Sequence, residues 1–178
     1  MKTCSLYGFI SALAGAFLVL ILYFTGLHSD PAKLTAAKWV GGLGGLAIGV
    51  TVTALGIKAR REEVPATEGF GYGSALWAGV LITFVSSVLS GLFTYCYHSF
   101  INPGFSDILL QDSISKLEAR GLSGAQLDKM ESLNRVLFSP VWEALLALIF
   151  GFIFGFIICL IVAAFLTRPA PPKLQTLA

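Results

Sequence analysis

The stretch SPVWEALLALIFGFIFGFIICLIVAAFLTR, residues 139–168, decides the architecture. From 141 to 166 it holds one charged residue, Glu143, and a helix of that length reaches about 39 Å, more than the roughly 30 Å of bilayer hydrocarbon. It is predicted to cross a membrane. Ser139 stands where a side-chain oxygen accepts hydrogen bonds from the first-turn N–H groups, and Pro140 at the first helical position loses nothing by lacking one. Arg168-Pro169 marks the end.

Three further apolar segments, 6–27, 39–57 and 74–100, precede it. The 178 residues are 56% hydrophobic and 12% charged, about half the charged share of a soluble domain. The reading is an all-α fold, an integral membrane four-helix bundle with spans at 6–27, 39–57, 74–100 and 140–166. One membrane domain covers 1–168, and the proline-rich tail 169–178 is expected to be disordered. The N-terminal run is too long for a signal-peptide core and no A-x-A-like site precedes Asp30, so it reads as an uncleaved span. Cys4 lies before that run, which excludes a lipoprotein cleavage box.

A net charge of +2 without a basic run argues against nucleic acid as a partner. Cys4, Cys96 and Cys159 lack C-x-x-C spacing, so neither a zinc site nor a disulfide framework is indicated and no cofactor is expected.

Gly41, Gly45 and Gly49 recur every four residues and share one helix face. In water each would cost about 0.8–1.0 kcal/mol relative to Ala. Hydrocarbon reverses the inference, because the backbone must satisfy itself and a bare face becomes a contact surface. This face is expected to be the tightest helix contact. Gly151 and Gly155 repeat the spacing in the last span, while Thr83, Ser86, Ser87, Ser90 and Thr94 give the third a weakly polar face.

Lys58, Arg60 and Arg61 crowd the end of the second span. By the positive-inside rule that loop and both termini are cytoplasmic, the total count of basic residues on the two sides being tied. Tyr23, Trp39, Tyr95, Tyr97 and Trp142 then form one interfacial belt and Tyr7, Tyr72 and Trp77 the other. Residues 105–138 are predicted to be a periplasmic helical hairpin. Its signs are the Asp112/Lys116 and Glu131/Arg135 pairs, Gly121 as a helix stop, and Ser123 with Gln126 as a capping box. Its apolar stripes are expected to face each other or the end of the bundle. The alternative, a helix lying flat on lipid, fits poorly with its slight excess of acidic residues.

Two ionisable residues are candidates for function. Glu143 lies within a span, where such a group is a proton or cation site by default, but it is only one turn inside, where the helix dipole and interfacial water also accommodate a carboxylate. His98 lies toward the same end, and a His98–Glu143 pair is conceivable, although two groups make a poor metal site.

The order of these features resembles small bacterial four-span proteins catalogued as domain-of-unknown-function family 4199. The resemblance rests on Tyr7-Gly8, Gly56-Ile57-Lys58, Phe70-Gly71 with Ala75 and Gly79, Asn102-Pro103, Gly121-Leu122-Ser123 with Gln126, and Ser139-Pro140. It implies a multi-pass inner-membrane protein and supplies no catalytic residue.

Together these readings favour a non-enzymatic accessory or interaction subunit of the inner membrane, partnered by the bilayer and by a second copy or another membrane protein. The alternative is a small transporter or channel using Glu143 and the polar face of the third span.

Overall fold

The computed structural model describes residues 1–65 and 67–170; most of the expected tail, 171–178, lies outside the described residues. The chain is all-α. Helices α1 (Lys2–Phe24), α2 (Leu34–Glu62), α3 (Tyr72–Cys96) and α6 (Pro140–Phe165) supply four segments long and apolar enough to cross a membrane. Between α3 and α6, α4 (Phe105–Ala119) and α5 (Ala125–Leu137) form the hairpin.

Local chemistry sets most boundaries. α1 stops at Gly26, whose φ of 74° suits a residue without Cβ, while the Leu27 N–H reaches back to the Leu22 carbonyl at 3.0 Å. α4 ends the same way at Gly121, with φ of 88° and Leu122 N–H bonded to Leu117. A short 3₁₀ turn, Pro31–Lys33, capped by the Asp30 carboxylate on the Ala32 N–H, leads directly into α2. That helix therefore starts earlier than the apolar run alone suggested. At its far end Arg60 and Arg61 complement the negative end of the helix dipole.

Two expected caps do not form. Ser139 Oγ donates to the Val136 carbonyl at 2.7 Å instead of accepting from the first turn of α6. α5 begins after Gly124, whose φ of 57° and extended ψ turn the chain, and the Ser123 side chain makes no cap bond.

α3 is the central helix, packed against α1, α2 and, most extensively, α6. Small residues line these contacts and large ones point outward. Ala75, Cys159 and Ala163 are fully buried, while Phe17, Leu43, Phe84, Leu92 and Phe154 are more than half exposed. In water such an exterior would be an aggregation surface; in hydrocarbon it is the solvated one. One buried cluster, Cys4, Ile57, Phe70, Ala75, Ala78, Ile82 and Ala163, closes the end of the bundle that carries the N-terminus. The other, Leu34, Tyr97 and Phe105, seats the hairpin on the opposite end.

Candidate functional site

The hairpin end gathers the histidines. Beyond Cys96 the helix widens into a π turn, Tyr97–Ile101, which directs Tyr97 and His98 inward. Tyr97 is 2% exposed, so it belongs to the core rather than to the expected interfacial belt. Its hydroxyl accepts from Asn102 Nδ2 at 3.1 Å and pairs with His28 Nδ1 at 2.7 Å. The Phe105 ring stacks on His28 at 4.4 Å and meets His98 edge-on at 5.4 Å. His98 Nδ1 pairs with Ser106 Oγ at 3.2 Å. Burial holds the His28 pKa below its ordinary value of 6.5, so this cluster is neutral and polar, built to fix α4 in place.

Glu143 faces elsewhere. It lines a chamber of about 590 Å³ together with His28, Lys38, Asp112 and Lys116. Asp112 receives Lys38 at 3.0 Å and Lys116 at 2.7 Å, which ties α4 to α2 across the chamber. Burial disfavours the Asp112 charge, but the hydrogen bonds and charges of Lys116 and Lys38 together outweigh it and hold the carboxyl below its ordinary 3.8. Among the described residues no hydrogen bond or ion pair joins His98 to Glu143, and no three His, Cys, Asp or Glu side chains gather as a metal ion would require.

The glycines divide into two kinds. Gly155 lies directly against Thr83, and Gly151 stands 3.5 Å from Ser87 Oγ, measured from where a Cβ would sit. Thr83 Oγ1 in turn contacts Cys159 Sγ at 3.2 Å, and Ser87 Oγ donates back to the Thr83 carbonyl at 2.8 Å. The expectation for α2 is corrected. Gly41 and Gly49 touch only the tips of Leu22 and Ile158, and Gly45 and its neighbour Gly42 have open space beside them. The α2 face is therefore not the tightest contact; it is one wall of a cleft of about 700 Å³, with α6 opposite and the hydroxyls of Ser86 and Ser90 exposed within it. α3 reaches α6 through a row of close approaches and holds it at a distance from α2, which leaves the α2 glycines unfilled.

A device at the other end was not foreseen. The Arg168 backbone pairs with Phe70 in both directions at 2.8 Å, and its guanidinium donates to the carbonyls of Val64, Pro65 and Glu68. The α2–α3 loop is thereby clamped to the end of α6. The only sequence signal was a lone arginine after the last span, which reads as a topology marker. Five residues that carried the resemblance, Tyr7, Ile57, Phe70, Ala75 and Gly79, meet at or beside this end's core.

These arrangements hold neutral polar groups, a small ion cluster and a largely apolar cleft. Compared with the curated proteins and with the solved structures, the chain matches none. The family model described as protein of unknown function (DUF4199) matches residues 6–168, and the chain belongs to that family, as a membrane protein of unknown function.

Proposed function

We propose that the protein is a non-enzymatic accessory subunit of the bacterial inner membrane, with both termini cytoplasmic, that works by docking another membrane protein through its hairpin. One observation carries this reading. α5 buries none of its residues, and Leu133, Val136 and Leu137 form an exposed apolar stripe on it. Asn134 bonds Ser113 on α4 at 2.8 Å, so the α5 face that carries Asn134 with the partly buried Leu127 and Met130 is turned toward its own hairpin, and Leu133, Val136 and Leu137 stand outside that contact. A stripe of this kind outside the spans fits a partner's surface. The orientation is supported by Lys58, Arg60 and Arg61 at the end of α2 and by Arg168 at the same end of the bundle.

A photo-reactive amino acid at Val136, activated in native membranes, tests the docking. A discrete protein adduct supports it, and an adduct with lipid alone overturns it. A cysteine at Ser123 labelled by an impermeant reagent from the periplasm supports the orientation, and protection there reverses it.

The second reading, a small transporter or channel, draws on Glu143 in the chamber and on the hydroxyls of Ser86 and Ser90 in the neighbouring cleft. Under it Glu143→Gln abolishes flux in proteoliposomes; under the first, the variant retains its partner.

A further inference from the structure

The cleft between α2 and α6 and the charged chamber at the hairpin end are neighbours, because Gly42 lines both. From Gly42 to Thr53 the α2 wall is about 16 Å long, half of the roughly 30 Å hydrocarbon core and so the depth of one leaflet. Its walls are bare glycine backbone and the side chains of Leu46, Phe154 and Ile158. A space of about 700 Å³ is in the range that binds small molecules, about 300–1,000 Å³.

The chamber carries a matching division of charge. Lys38 and Lys116 share the single carboxylate of Asp112, which leaves one positive charge in surplus. Glu143, at the start of α6, has no cation bonded to it among the described residues, although Lys38 is near enough to act on it. A head group with a phosphate for the lysines and an ammonium for Glu143 satisfies both. A carboxylate accepts hydrogen bonds, so an ammonium with N–H donors fits it better than a quaternary one.

We propose that the cleft and chamber form one binding site for an aminophospholipid, its acyl chain lying along Gly42, Gly45 and Gly49 and its ethanolamine phosphate between Glu143 and the Lys38–Asp112–Lys116 cluster. None of Leu133, Val136 and Leu137 lines the cleft or the chamber, so the site stands or falls independently of the partner reading.

The test uses the full chain, purified and reconstituted into nanodiscs of equimolar phosphatidylethanolamine, phosphatidylglycerol and phosphatidylcholine, followed by gentle detergent release and native mass spectrometry. Wild type is expected to retain phosphatidylethanolamine in preference to the other two. Glu143→Gln should lower the phosphatidylethanolamine adduct roughly tenfold relative to phosphatidylglycerol, the loss of about one charge-assisted bond. Gly45→Leu fills the cleft without meeting another side chain at its Cβ and should remove every lipid adduct while the thermal midpoint is kept. If Gly45→Leu fails to fold, the Glu143→Gln comparison decides. Absence of retained lipid, a preference for phosphatidylglycerol, or equal retention by wild type and both variants overturns the proposal.

Discussion

Gly155 of α6 abuts Thr83 of α3 so closely that a methyl group added to the glycine would overlap the threonine side chain. Thr83 has little freedom to give way, because its Cβ is branched and its Oγ1 is engaged with Cys159 Sγ. Gly155→Ala is therefore expected to destabilise the bundle by about 1–3 kcal/mol, the usual range for overpacking. Gly45→Ala, which enters open space, should stay within about 1 kcal/mol of wild type or gain slightly from helix propensity. Thermal unfolding of both variants in detergent checks this pair, and equal midpoints would show that α3 and α6 are not packed so tightly.

In one dimension the two glycine rows look alike, and that marks where the sequence stops being legible. Span number, the Gly121 helix stop and the Asp112–Lys116 pair were readable because hydrocarbon thickness or one turn of helix determines each. Whether a glycine face is filled depends on how distant helices cross, and no local periodicity encodes that. The His28–Tyr97 bond joins residues 69 apart and the Arg168–Val64 bond residues 104 apart, so neither left a pattern. Of the two ionisable candidates the depth was legible, but which chamber each faces was not. The widened turn at Tyr97–Ile101 rotates His98 toward Ser106, while Glu143 lines the chamber together with Lys38. The caps at Ser139 and Ser123 failed for a related reason, since the preceding turn in one case and the Gly124 backbone in the other take over the geometry.

Arg168 clamps the α2–α3 loop, and removing its guanidinium should free that loop. Three carbonyls share one nitrogen of the partly buried guanidinium, so Arg168→Ala is expected to cost the loop about 1 kcal/mol, below the usual range for hydrogen bonds to charged groups. Trypsin cleavage at Arg61 should then run roughly fivefold faster in opened membranes, as the open population rises by that factor. An unchanged cleavage rate would mean that the backbone pairing of Arg168 with Phe70 suffices.

His28 makes stability depend on pH with a defined sign. Its pKa is lowered by burial, so the folded chain binds fewer protons than the unfolded one in the window between the depressed folded value and about 6.5. The stabilisation is complete above 6.5 and is lost as the pH falls through the depressed folded value. The slope from this one group should not exceed about 1.4 kcal/mol per pH unit. His28→Gln removes that part of the slope, read as the difference in thermal midpoint between the two proteins at each pH. Parallel curves would show that His28 is solvated in solution.

Asp112 seats the hairpin, because its carboxylate is the shared partner of Lys38 on α2 and Lys116 on α4. The lysine side chains are about half exposed, 56% and 51%, whereas Asp112 is 11% exposed. Exposed pairs are worth about 0–1 kcal/mol each and weaken with salt, so the two lost in Asp112→Asn should cost up to about 2 kcal/mol in total, less at high ionic strength. The loss should fall on α4, seen as faster amide hydrogen exchange there than in α6, since what then holds α4 is mainly the packing of Phe105, Ile108 and Leu109 around Leu34 and Tyr97, toward its start. The carboxyl is held below 3.8, so the wild-type advantage is present above that pH and disappears as the pH falls through the folded value. Equal α4 exchange in the two proteins at neutral pH would place the anchoring of the hairpin in its aromatic contacts and remove the ion cluster from that role.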